Sequence, residues 1–265
     1  MALQISCKVV AAADGKELVQ HGSTLFPIAC YAEDLAVDSV SWHWHEDYEF
    51  VLVTRGVVYV DVNKTRLRLT EGEGVFINSG ALHTVEPARD GPSFIHSGVF
   101  HPRLVGGMDT VFWQKLNRPM LQPGAPVFFL LNGAVPWQRD VLACLRDAWQ
   151  EVGDEPFDFE NRARYHLSLA LRLLGSQCIA GKTKVSQQEQ IAAERMKQML
   201  RFVEEHYAEE LTVEKIAGCV ALSESACLRS FRQLLGTTPI QYVKQFRVEK
   251  AAELLRSTRL KTGEI

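Results

Sequence analysis

LTVEKIAGCVALSESACLRSFRQLLG, Leu211 to Gly236, reads as two short helices joined by a tight turn. Thr212 can cap the first helix, whose apolar residues Val213, Ile216, Ala217 and Val220 fall at helical spacing. Ala221 and Leu222 make a brief break. Ser223 can cap the second helix, and Gly236 stands where a left-handed residue ends a helix most easily. Cys227, Phe231, Leu234 and Leu235 form the inner face of that helix, at i, i+4, i+7 and i+8. Ser225, Arg229 and Arg232 lie on the opposite face. Two short helices with a tight turn, the second carrying arginines outward, describe a helix-turn-helix whose second helix can enter the major groove of DNA. The plain alternative is a helical hairpin with a solvated charged face.

The residues that follow favour the first reading. Thr238-Pro239 opens a third helix, with proline at its first position, and the run continues through IQYVKQFRVEKAAELLRST. From Arg229 to Ile265 the basic residues are Arg229, Arg232, Lys244, Arg247, Lys250, Arg256, Arg259 and Lys261, against the acids Glu249, Glu253 and Glu264. A basic surplus confined to one segment of a chain whose net charge is -3 is an electrostatic footprint for phosphates.

Residues 195 to 265 resemble the DNA-binding domain of the AraC/XylS family of transcription regulators. The resemblance rests on Leu211-Thr212-Val213, Ile216-Ala217, Ser223, Arg229, Phe231, Gly236, Pro239, Tyr242, Arg247, Ala251 and Leu254-Leu255, in the family's order and spacing. Cys227 stands where the family usually has leucine, and Leu228 where a polar residue is common. The resemblance implies promoter DNA as a partner, read by Ser223, Ser225, Arg229, Arg232 and Gln233, with RNA polymerase as a further partner. Leu260 to Ile265 look like the opening of the second helix-turn-helix that the family places next, so the domain is expected to be incomplete here.

The composition bounds the rest. A chain of 265 residues fits two domains at ~100–200 residues each. At 46% hydrophobic it can bury sizeable cores. Cys7, Cys30, Cys144, Cys178, Cys219 and Cys227 form no CxxC pair and read as small buried residues in a reducing compartment. The N-terminus shows neither a signal peptide nor a long apolar run, so a cytoplasmic, non-membrane protein is expected.

Leu25 to about Phe100 reads as short strands with close turn signals: Tyr48 to Gly56, Val57 to Val62, Thr65 to Leu69, VFIN after Gly74, His83 to Glu86 and Ser93 to Phe100. That pattern predicts an antiparallel barrel or sandwich. His43, His45 and Glu49 have the spacing HxHxxxE, with Gly56 after six more residues, and Gly80 and His83 follow downstream. Strand alternation puts His43 and His45 on one face and Trp42 and Trp44 on the other. This resembles the two motifs of the cupin barrel, with Asn78 where the second motif usually has proline. In that family His, His, Glu and His bind a divalent metal, and the donors here suit Zn, Ni, Mn or Fe(II). Regulators of the AraC family keep such a barrel for a small organic effector, so the resemblance implies either an effector pocket at His43, His45, Glu49 and His83 or histidines satisfied within the barrel, with no cofactor required. Tyr31, Tyr48 and His96 are further pocket candidates.

Two helical patterns follow His101 to Pro136, a stretch expected to supply loops over the barrel. Trp137 to Glu151 carries Val141, Leu142, Leu145 and Trp149, and Glu160 to Cys178 carries Leu167, Leu171 and Leu174. They predict an antiparallel helical hairpin, which the resemblance makes the contact of a homodimer. The expected organisation is a cupin-like barrel over 1–135, the hairpin over 136–180, a polar linker over 181–190 and the helix-turn-helix domain over 191–265. The expected function is a DNA-binding transcription regulator controlled by a small-molecule effector, and not an enzyme. The alternative is a metal-dependent cupin enzyme with an accessory helical domain.

Overall fold

The run YEFVLVTRGVVYVDV, Tyr48–Val62, is one unbroken strand, and the first half of the chain folds around it. The computed structural model describes residues 3–4, 16–17, 19–38, 40–122, 124–179, 187–235 and 237–257. In chain order its strands are β1 (Leu3–Gln4), β2 (Ile28–Asp34), β3 (Val40–His43), β4 (Tyr48–Val62), β5 (Thr65–Thr70), β6 (Gly74–Ile77), β7 (His83–Pro87), β8 (Ser93–Phe100) and β9 (Phe128–Leu131). The α-helices are α1 (Arg118–Leu121), α2 (Pro136–Asp154), α3 (Phe159–Ile179), α4 (Gln187–His206), α5 (Val213–Gly218), α6 (Glu224–Leu235) and α7 (Pro239–Ser257). Two compact units meet in sequence at Gln187 and Gln188. Among the described residues no helix is long and apolar enough to cross a membrane.

In the first unit β4 serves two leaves of one sheet. Its first part pairs with β6 and β8, with Glu49 opposite Ile77 and Val99, in a leaf ordered β1-β2-β8-β4-β6-β9. Its second part, Val57 to Val62, pairs with β5 and β7, and β7 pairs with β3. The strand changes leaf at Gly56. There φ is +85°, and an added Cβ would lie 1.8 Å from the Pro92 carbonyl oxygen, so a side chain has no place. The antiparallel pairing agrees with the barrel or sandwich expected from the strand pattern, and among the described residues the two leaves are not joined at β3. β3 is only four residues long and its pairing with β7 shifts register between Val40 and His43, so the second leaf ends there.

Period-two alternation sorts the side chains of the first leaf. Tyr48, Phe50, Leu52, Phe76 and Phe100 point outward into a core shared with Val141, Leu145, Leu167, Leu171 and Leu174 of α2 and α3. Val51, Val53, Val58, Val60, Val75 and Ile95 point inward, between the leaves. Burial of each such side chain stabilises the fold by roughly 1.5–3 kcal/mol. The α2–α3 hairpin turns where Glu155 takes a left-handed conformation, φ 46°. Between His101 and Pro136 the chain holds a π-helical turn, Trp113–Asn117, then α1, then β9, which falls within the apolar run Pro126 to Leu131 and extends the first leaf beside β6.

The second unit is a helical cluster. Met196, Met199, Leu200 and Val203 of α4 are buried, as are Ile216 and Ala217 of α5, Cys227, Phe231, Leu234 and Leu235 of α6, and Tyr242 and Val243 of α7. The Thr212 hydroxyl accepts from Lys215 N at 3.2 Å and caps α5. The Ser223 hydroxyl accepts from Ala226 N at 3.3 Å and caps α6. Ala221, at φ 53°, makes the left-handed turn between them. Helix α4 begins at Gln187, so the last part of the predicted linker is helical. Residues 181–186, Gly236 and 258–265, with the predicted start of a second helix-turn-helix, lie outside the described residues.

Candidate functional site

His43, His45, Glu49 and His83 converge on the inner face of the sheet. His43 ends β3, His45 lies two residues on, Glu49 is the second residue of β4 and His83 opens β7, paired with His43 in the ladder. One donor atom from each lies within 4.8 Å of the others, and all four residues are buried. Each imidazole is oriented by its own backbone. His43 Nδ1 lies 2.8 Å from the Ser41 carbonyl oxygen, His45 Nδ1 3.0 Å from that of Asp47, and His83 Nδ1 2.9 Å from that of Ala81. A carbonyl only accepts, so each Nδ1 is the protonated donor and each Nε2 faces the centre. Glu49 Oε2 lies 3.0 Å from His45 Nε2, 2.8 Å from His83 Nε2 and 4.0 Å from His43 Nε2.

Two lone-pair nitrogens do not approach a carboxylate oxygen this closely without positive charge between them. Either second protons on the imidazoles or one shared cation supplies it. Burial alone would raise the Glu49 pKa, but the imidazoles of His83 and His45 outweigh it and hold the carboxyl well below the usual range. Burial, helped by repulsion from His83, pushes His43 down to about 3. Burial also opposes charge on His45, yet its bond to Glu49 prevails and raises it. Three imidazoles with fixed tautomers and one carboxylate are a fitting donor set for Zn, Ni, Mn or Fe(II), and backbone carbonyls behind each ring are the partners such ligands normally have.

Beside the donors lies a cavity of about 10 Å³, room for about one water, whose polar lining is Glu17, Tyr31, Glu33, His43, Glu49 and Ser97. Tyr31 therefore borders the cavity, and its hydroxyl is 2.9 Å from His21 Nδ1. The sequence motifs do not single out Glu17, His21, Glu33 or Ser97. The Ser97 hydroxyl donates to Glu33 Oε2 at 3.0 Å, and His21 Nε2 lies 2.9 Å from Glu17 Oε2. Alternation along β2 and β8 could have found Glu33 and Ser97, because both share the inward face with Tyr31 and Ile95. Glu17 and His21 precede the strands and follow no periodicity.

Two predicted pocket residues are placed elsewhere. Tyr48 neighbours Glu49, so alternation turns it outward, against Phe76 and Phe100. His96, between Ile95 and Ser97, also points outward and stacks on Trp149 of α2, with ring centroids 3.5 Å apart and planes 8° apart.

In the second unit Ser223, Ser225, Arg229, Arg232 and Gln233 are all exposed, opposite the buried face of α6. Leu228 is half-buried at the edge of that face. Arg247 belongs to the basic surplus in the sequence, but it holds the fold together. Its guanidinium donates to the carbonyl oxygens of Tyr207 and Glu209, each at 2.7 Å, and so closes the end of α4.

Residues 25–163, a little over half of the chain, match the family described as the AraC-like ligand binding domain. Among curated proteins, the uncharacterized HTH-type transcriptional regulator YdeC of Bacillus subtilis (strain 168) is 28% identical over 94% of this chain and 86% of its own length. The HTH-type transcriptional activator RhaS of Escherichia coli (strain SMS-3-5 / SECEC) is 24% identical over 84% of this chain and 76% of its own. Among solved structures, ToxT from Vibrio cholerae O395 aligns over 82% of this chain and 97% of its own, with TM-score 0.37 and 10% identity. The AraC-like transcriptional activator CuxR aligns over 78% and 67%, with TM-score 0.33 and 13% identity. With a matched region that runs from ahead of β2 into α3 and takes in every one of the four converging donors, the chain belongs to the AraC-like ligand-binding-domain family of transcription regulators.

Proposed function

We propose that this chain is a DNA-binding regulator of transcription whose activity is set by a divalent transition-metal ion held between the leaves of the first unit. The observation that carries the reading is the convergence of His43 Nε2, His45 Nε2, His83 Nε2 and a Glu49 oxygen, each ring locked by a backbone carbonyl. Bound there, the ion supplies the positive charge that this constellation is arranged around. The chain's own residues set the tautomers and fix the donors on β3, β4, β7 and the turn after β3, so binding favours one arrangement of these segments over others.

An organic effector fits this interior poorly. Pockets for drug-sized ligands run to ~300–1,000 Å³, whereas the cavity beside the donors is about 10 Å³. The same small space speaks against a metal-dependent enzyme, because an organic substrate has nowhere to meet the ion. The DNA-reading role falls to α6, with Arg229 at a base edge, Arg232 at phosphate, and Ser223, Ser225 and Gln233 along the same exposed face. Phe157 and Tyr165, 97% and 60% exposed on the α2–α3 hairpin, support its use as the contact between two copies.

The test combines metal analysis with a gel-shift titration. The full chain, purified without chelating resin, is assayed for bound transition metal and then for affinity to a duplex selected from a random pool, before and after chelator. Bound metal near one per chain, with DNA affinity that changes on stripping and returns with the ion, supports the proposal. Tight, selective DNA binding that ignores the metal would sink it.

A further inference from the structure

Glu17 lies upstream of both histidine motifs, yet its side chain is inside the first unit and 6% of the residue is exposed. Its N–H donates to the Trp44 carbonyl at 2.8 Å, which pins it to the residue between His43 and His45. Its Oε2 is 3.9 Å from His43 Nε2, nearly the same as the 4.0 Å from Glu49 Oε2 to that nitrogen. The inward nitrogen of His43 is thus flanked by two carboxylates, and all three residues border the one-water cavity. Glu17 Oε2 also takes a bond from His21 Nε2 at 2.9 Å, and His21 is steadied in turn by Tyr31. Ligating carboxylates are ordinarily hydrogen-bonded in this way.

Charge balance gives the arrangement a purpose. A divalent ion among three neutral imidazoles and Glu49 alone would leave one net positive charge among buried groups. A second carboxylate brings the cluster to neutrality, and buried charge is tolerated only when it is compensated. We propose that Glu17 is a fifth protein donor, so that His43, His45, His83, Glu49 and Glu17 together hold a five- or six-coordinate divalent transition-metal ion. This rests on the metal reading above and adds a ligand that neither histidine motif contains.

The experiment uses the full chain, stripped with chelator and titrated with Co²⁺, followed by calorimetry and visible absorption. The wild type should bind one Co²⁺ with the weak bands of a five- or six-coordinate centre. Glu17→Gln should bind roughly 10–100-fold more weakly, with bands that intensify as the coordination number falls to four. Equal affinity and unchanged bands in a Glu17→Gln protein that keeps the wild-type circular dichroism would overturn the proposal. X-ray absorption at the cobalt edge of the wild type and of Glu17→Gln completes the test. Loss of an oxygen ligand in the variant supports the proposal, and an unchanged shell or a wild-type centre with four ligands and one oxygen removes it. Failure of the wild type to take up Co²⁺ would remove the metal reading as well, whereas normal uptake with an indifferent Glu17→Gln removes this inference alone.

Discussion

At the residue scale, the site depends on where protons sit. His45 and His21 hold their protons more tightly in the folded metal-free protein than in the unfolded chain, because the bonds to Glu49 and Glu17 outweigh burial. Their contribution is complete below the unfolded histidine pKa of about 6.5 and is lost as pH rises through their raised values. His43, at about 3, and Glu49, well below its usual range, act in the other direction. Both resist protonation that the unfolded chain accepts, so stability falls as pH drops below about 6.5 for the histidine and below about 4.3 for the carboxylate. The metal-free first unit should therefore be most stable near neutral to mildly acid pH, with losses on both sides. Saturating metal should remove the part of the alkaline loss that His45 carries, since the ion replaces its proton. Thermal melts across pH 4–9 with chelator and with metal test this, and metal-free stability that climbs steadily to pH 9 would contradict it. On α6, Arg229→Ala should cost ~1–3 kcal/mol in specific DNA affinity, the worth of a bidentate contact to guanine. Competition binding separates the cases: an equal loss on specific and random duplexes would make Arg229 a phosphate contact.

At the scale of elements, strands and helices differ in what they disclosed. The inner and outer faces of α6 were legible because a 3.6-residue period assigns Cys227, Phe231, Leu234 and Leu235 inward and leaves Arg229 and Arg232 outside. The convergence of His43, His45, Glu49 and His83 was legible from their spacing and its resemblance to the cupin motifs. The same alternation, applied strictly, would have turned Tyr48 and His96 away from the site, since each is next to an inward residue. Glu17 and His21 were not legible, because an irregular segment has no period to read. The turn between α5 and α6 supplies a prediction of its own. Ala221 sits at φ 53°, a left-handed conformation that costs an L-residue about 1–2 kcal/mol. Glycine removes that strain but returns about 0.5–1 kcal/mol as chain entropy. Ala221→Gly should stabilise the second unit by about 0.5–1 kcal/mol, a rise of several degrees in its melting temperature for a unit of this size. Calorimetry of the variant checks this, and a lower melting temperature would mean that the alanine methyl packs in a way that outweighs the strain.

At the scale of the whole molecule, regulation requires that the two units share free energy. If the ion in the first unit alters the affinity of the second for DNA, then DNA must alter the affinity of the first for the ion by the same factor, because both reports describe one coupling free energy. Such couplings typically amount to about 1–3 kcal/mol, or 5–150-fold. The ion should also stabilise the first unit by mass action, by about 2.7 kcal/mol at a hundred times its dissociation constant. That stabilisation proves only binding. A regulator needs the reciprocal effect, which mere metal storage does not produce. The decisive measurement is a thermodynamic square: DNA affinity of the metal-free and metal-loaded full chain, and metal affinity of the DNA-free and DNA-bound chain. The two ratios should agree and fall within that range, and they should collapse to one in His45→Gln, which loses a donor while leaving the exposed face of α6 untouched. A metal-loaded chain whose four affinities give ratios of one would show that the ion serves stability alone and that another signal governs the DNA reader.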